Sequence, residues 1–145
     1  MASKAHQFIA MCILRKIRGK GYEIIAFEGD YTKVDTIPFN IPPQIIHHRP
    51  DILGIKRDAL DLCIGEAKTT KDLFTKRTKE QLSDYISLMS SNIFNNCELI
   101  IGIPQSAERK LKKLLVNLNI FNTKNLSYLM IPKNLFPKRN ASEEI

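Results

Sequence analysis

The chain lacks the features that mark several common protein classes. Its 145 residues include only three cysteines, Cys12, Cys63 and Cys97, far apart and with no CxxC or Cys/His ligand spacing. That argues against a zinc site or a cysteine-ligated cluster. Each cysteine sits in an apolar run and reads as a small core residue. Free buried thiols fit a reducing compartment, so a cytoplasmic, cytosolic or nucleoid-associated setting is expected. The apolar segment FIAMCIL at 8–14 is too short to span a bilayer, and it leads straight into RKIRGK without a small-residue cleavage site. No internal repeat or low-complexity tract is present, nor is there a helix-turn-helix, zinc-finger or aromatic stacking pattern. Acidic residues are missing from positions 1–22, which carry Lys4, Arg15, Lys16, Arg18 and Lys20.

What is present describes one compact, basic domain. A length of 145 residues, 43% apolar and 26% charged, is enough for a real core. A single domain over 1–137 is expected, with a flexible polar tail at 138–145. The net charge of +7 favours a polyanionic partner, nucleic acid or an acidic membrane face. Helical spacing of Phe8, Ile9, Cys12, Ile13 and Ile17 predicts a helix over 4–18, capped by Ser3 and stopped by Gly19 and Gly21. YEIIAFE at 22–28 reads as a strand, followed by a long irregular connection at 29–48. Two strand-like runs, PDILGI and LDLCIGEAK, flank KRDA. A helix is expected over 73–91, with Phe74, Leu82, Tyr85, Ile86 and Met89 as its apolar stripe. CELIIGIP at 97–104 reads as a strand buried on both faces, 105–118 as a basic amphipathic helix, and LSYLMIP at 126–132 as a last strand. The order α-β-β-β-α-β-α-β predicts a layered α/β domain with a mixed sheet.

The two runs around KRDA carry the chemistry. A turn centred between Asp58 and Ala59 pairs them antiparallel, so that Leu53 faces Ile64, Ile55 faces Leu62 and Asp51 faces Glu66. Opposed side chains have Cβ atoms roughly 4.5–5.5 Å apart, and alternation places Lys68 on the face of Glu66. The other face carries Ile52, Gly54, Cys63, Gly65 and Ala67, small enough to accept a helix at close range. Two carboxylates this near each other require a shared proton or a cation between them. Hard oxygen donors suit Mg²⁺ or Mn²⁺, which can activate water and neutralise phosphate charge, with Lys68 placed to orient the water or stabilise an oxyanion. A second acid-x-lysine triplet, Glu108-Arg109-Lys110, opens the basic helix with no strand before it and reads as a solvated helix face.

Pro50-Asp51 followed by Glu66-Ala67-Lys68 resembles the PD-(D/E)xK nuclease superfamily, whose core is a mixed sheet flanked by helices in the order αβββαβ. The resemblance covers roughly residues 3–104 as architecture and 50–85 as motif. It implies a restriction-endonuclease-like α/β fold with a C-terminal αβ extension. It further implies a Mg²⁺-dependent deoxyribonuclease, of endonuclease type in the manner of a resolvase, restriction or homing enzyme, acting on DNA as a homodimer or higher homo-oligomer. Asp51, Glu66 and the Ala67 carbonyl would hold the metal and Lys68 would serve the water. Gln81 and Tyr85 in KEQLSDY resemble the Q-x-x-x-Y motif of RecB-type nucleases, which makes a RecB-like repair or phage exonuclease the close alternative. A non-catalytic DNA-binding protein on the same scaffold and RNA processing by the same fold are the more distant ones.

The first helix of such folds often supplies one more metal ligand. His6 is the candidate here, in line with Ala10, Ile13 and Ile17, with Gln7 and Glu28 as rivals. Thr69, Thr70 and Lys71 directly follow the motif strand and are expected to contact the DNA backbone, together with Lys76, Arg77 and Tyr85. His47 and His48, in the long connection just before the motif, are expected to be plain loop residues, with contact to DNA or the scissile phosphate as the alternative.

Overall fold

The protein is described from a computed structural model, over residues 3–29 and 39–137. Helix α1 (Lys4–Gly19) is followed by strands β1 (Glu23–Phe27), β2 (Ile52–Lys56) and β3 (Asp61–Ala67). Then come helix α2 (Lys76–Met89), strand β4 (Asn96–Pro104), helix α3 (Glu108–Asn117) and strand β5 (Leu126–Ile131). The strands form one five-stranded sheet in the order β1-β2-β3-β4-β5. β1, β2 and β3 pair antiparallel, whereas β3–β4 and β4–β5 are parallel. The mixed α/β sheet flanked by helices is the fold class that the element order predicts. The expected tail at 138–145 lies outside the described residues, as does the 30–38 part of the long connection.

The hairpin has the predicted register, with Leu53 opposite Ile64 and Ile55 opposite Leu62. Its reverse face lies against α1. Ile9, Ile13, Leu14 and Ile17 are fully buried there with Ile52, Cys63 and Ala67, each large aliphatic contributing about 1.5–3 kcal/mol by its burial. The approach is close because the sheet presents glycine. A methyl group added at Gly65 would lie 2.7 Å from Ile13 Cγ2. The helix starts where the sequence places its cap, with Ser3 Oγ accepting from the His6 N–H at 3.1 Å.

The opposite face is covered by α2 and α3. Leu82, Tyr85, Leu111, Leu114 and Leu115 pack there on Leu53, Ile64, Leu99 and Ile101. Two boundaries differ from the expectation. The expected helix over 73–91 begins only at Lys76, because the chain first makes a 3₁₀ turn at Thr70–Asp72 and Thr75 caps the helix by accepting from the Thr78 N–H. Leu73 therefore takes the inside position, and Phe74, expected in the apolar stripe, is exposed. The expected 105–118 helix likewise splits into a 3₁₀ turn at Gln105–Ala107 and α3. Glu108, of the second acid-x-lysine triplet, pairs with Lys112 at 2.9 Å on the solvated side of α3. Cys12, Cys63 and Cys97 are free thiols, the last two buried. Among the described residues no helix is long and apolar enough to cross a membrane.

Candidate active site

Asp51 stands at the entry to β2, fixed by its backbone on both sides. Its N–H donates to the Gly65 carbonyl at 3.1 Å, and its carbonyl accepts from the Glu28 N–H at 2.9 Å. Its carboxylate folds back onto the neighbouring strand, where Oδ2 accepts from the Ala67 N–H at 2.8 Å. His6 Nε2, reaching over from α1, lies 3.4 Å from the same oxygen.

Glu66 is almost wholly enclosed. Its Oε1 accepts from the Tyr85 hydroxyl at 3.0 Å, and its Oε2 lies 3.6 Å from Lys68 Nζ. Lys68 in turn donates to Gln81 Oε1. Helical spacing brings Gln81 and Tyr85 onto one side of α2, so that one holds the lysine and the other the glutamate. All of these side chains except Tyr85 line a cleft of about 1110 Å³, together with Gln7, Glu28 and His47.

The electrostatics of the cluster are unbalanced. Burial, followed by the charge of Asp51, raises Glu66 well above the ordinary glutamate value of 4.5, while Lys68 and the Tyr85 hydroxyl pull the other way. Burial lowers the His6 pKa, but the hydrogen bond and charge of Asp51 outweigh it and hold the imidazole above its ordinary 6.5. His6 Nδ1 is buried without a hydrogen-bond partner among the described residues. Burial, then the neighbouring Glu66, pushes the Tyr85 phenol far up, so it stays a donor.

A hard divalent cation suits this donor set. Two close carboxylates, one of them buried and driven towards its neutral form, are relieved by positive charge between them. Mg²⁺ needs only one or two carboxylates, with water filling its remaining positions. A closed cage is not preassembled. Among the described residues no group of three or more His, Cys, Asp or Glu side chains is placed to hold a metal ion. His6, expected as a further ligand, has its Nε2 beside the Asp51 carboxylate, on the rim of the same cluster.

Two of the residues expected to touch DNA point elsewhere. Tyr85 is fully buried, and its hydroxyl serves Glu66. Thr69 is also buried, with its hydroxyl donating to Asp72 Oδ2 at 2.7 Å. Neither lines the cleft. Lys71 and Arg77 are exposed and line the cleft; Lys76 is exposed beside it, and Thr70 is half-buried in the 3₁₀ turn.

One arrangement has no counterpart in the sequence pattern. Asp84 Oδ2 accepts from the His47 N–H at 3.0 Å and lies 2.7 Å from His48 Nδ1. Burial opposes the charge on Asp84, but these contacts outweigh it and hold the carboxyl below the ordinary aspartate range. His48 thereby joins the cleft wall. The pair is 36 positions apart, so no local pattern announces it. The only sequence signal is that Asp84 lies one helical turn beyond Gln81.

No family model matches the chain, and no curated protein matches it. A solved structure, that of a repair endonuclease from Pyrococcus abyssi, is similar over 91% of this chain at 15% identity, with a TM-score of 0.46. The chain spans about half of that protein, 48% of its length.

Proposed function

We propose that the protein is a divalent-metal-dependent nuclease that hydrolyses DNA phosphodiester bonds as an endonuclease. The observation that carries this reading is the convergence of Asp51, Glu66 and Lys68 in one cleft, each held by a separate partner: Ala67 N–H, Tyr85 and Gln81. A scaffold that only bound DNA would have no need to bury a glutamate and a lysine beside an aspartate, since that burial costs stability.

Asp51, Glu66 and the Ala67 carbonyl would hold Mg²⁺, with Mn²⁺ as a substitute, and such an ion supplies an acidified water and neutralises phosphate charge. The chain's own residues do the positioning. Lys68, tethered by Gln81, presents its ammonium where attacking water or a developing oxyanion would lie. Tyr85 keeps Glu66 turned towards Asp51. His6 restrains the Asp51 carboxylate from the α1 side. Lys71, Lys76 and Arg77 supply positive charge for the phosphate backbone. A homodimer or larger homo-oligomer would allow paired cuts on the two strands.

A plasmid-nicking assay tests the reading. Wild type is expected to cut with Mg²⁺ and not with EDTA, whereas Asp51→Ala and Lys68→Ala bind DNA without cutting it. Equal cutting by the Lys68 variant removes the proposed mechanism. Gln81 and Tyr85, both turned into the cluster, favour a second reading, a RecB-like repair or phage exonuclease. Closed circular, linear and branched substrates in the same assay separate the two, because an exonuclease leaves the closed circle intact.

A further inference from the structure

We propose that His48, held by Asp84, is a phosphate-contacting residue on the wall of the cleft that Lys71 and Arg77 also line. This rests on the nuclease reading, because it presumes a nucleic acid strand in the cleft. The argument starts from what Asp84 does. Its Oδ2 takes two contacts at once, the His47 N–H at 3.0 Å and His48 Nδ1 at 2.7 Å. The first, a backbone bond, would suffice to tie the loop to α2 whatever residue stood at 48. The second is specific to an imidazole and fixes how the ring is turned.

With Nδ1 committed to Asp84, the remaining polar atom of the ring is Nε2, which has no partner among the described residues. The ring lines the cleft that holds Asp51, Glu66 and Lys68. An imidazole that donates from both nitrogens gives Nδ1–H to Asp84 and leaves Nε2–H for a further acceptor. In a cleft that holds nucleic acid, that acceptor is a phosphodiester oxygen. Lys71 and Arg77 line the cleft from the segment that follows β3, and His48 from the loop before β2. A strand in the cleft would meet groups from both segments beside the Asp51–Glu66 cluster.

The test is a scan with duplex oligonucleotides in which one phosphate at a time is replaced by a neutral methylphosphonate. Binding is measured with EDTA present so that no cutting occurs. Wild type is expected to show a position where neutralisation weakens binding about tenfold, the size of one charge-assisted contact. At that position His48→Ala loses nothing further, while it keeps the wild-type profile elsewhere. Asp84→Asn keeps an oxygen for the His47 amide but loses the charge, and it is expected to blunt the same position. A structural role would weaken binding evenly at every position. A His48→Ala profile parallel to that of wild type throughout, with wild type still cutting DNA, overturns the assignment and leaves the nuclease reading standing. A wild-type protein that neither binds nor cuts DNA overturns both.

Discussion

The Tyr85 hydroxyl on α2 donates to Glu66 Oε1 on β3 at 3.0 Å, across 19 positions of sequence. Glu66 has little other support. Burial and Asp51 both disfavour its charge, while Lys68 and this hydroxyl favour it. Removing the hydroxyl therefore raises the Glu66 pKa further. Tyr85→Phe is expected to need about tenfold more Mg²⁺ for half-maximal cutting at pH 7, one pKa unit being a factor of ten. The gap should close as the pH rises, because alkali does the deprotonation that the hydroxyl assisted. Magnesium titrations at pH 7 and pH 9 check this, and a gap that stays constant with pH would break the link between the two residues.

The same imbalance sets how stability depends on pH without metal. A group whose folded pKa is raised contributes stability below its unfolded pKa and loses it as the pH climbs through the folded value. For Glu66 the window opens at about the ordinary 4.5 and extends upwards. In EDTA, the melting temperature is expected to decline more above pH 5 for wild type than for Glu66→Gln. At pH 8, Glu66→Gln should melt higher than wild type by several degrees, since about 1 kcal/mol moves a domain of this size by roughly 3–5 °C. Adding Mg²⁺ should raise wild type more at pH 8 than at pH 5 and leave the variant unmoved. Calorimetry at the two pH values measures all three.

Lys68 is buried with Gln81 as its hydrogen-bond acceptor, so the two residues should separate kinetically. Gln81→Ala leaves the ammonium present but free to wander. It is expected to lower kcat about tenfold with little change in KM, the signature of lost positioning. Lys68→Ala removes the group and should abolish cutting with binding retained. A Gln81 variant that changed KM alone would place Gln81 on the substrate instead.

Much of this arrangement is legible in the amino-acid sequence. The pairing of Leu53 with Ile64 follows from period-2 alternation and a short polar turn, and that register alone brings Asp51 to Glu66. Pattern carries direction along a strand and around a helix, but not depth. Gln81 and Tyr85 are correctly placed on one face of α2, yet only the packing reveals that Tyr85 reaches the interior and serves Glu66 rather than DNA. Thr69 follows the same rule: next to the motif strand in sequence, it is turned inwards to Asp72 by the 3₁₀ turn that the apolar periodicity conceals. The contact of Asp84 with His48 joins a helix to an irregular loop, where no periodicity exists to be read.

The sheet glycines under α1 meet its isoleucines at close range, and Gly65 tests that contact. A Cβ at this position would lie 2.7 Å from Ile13 Cγ2, and 3.1 Å from both Ile17 Cδ1 and Ile52 Cδ1. All three isoleucines are fully buried and have nowhere to go, so the helix itself must lift. Gly65→Ala is expected to cost about 1–3 kcal/mol, the range for overpacking a tight core. Ile13→Ala alone should cost about 2–5 kcal/mol as a cavity. The double variant should cost less than the sum of the two by about 0.5 kcal/mol or more, since each change makes room for the other. Denaturant unfolding of the four proteins measures that coupling. Strict additivity would mean that α1 does not rest on Gly65.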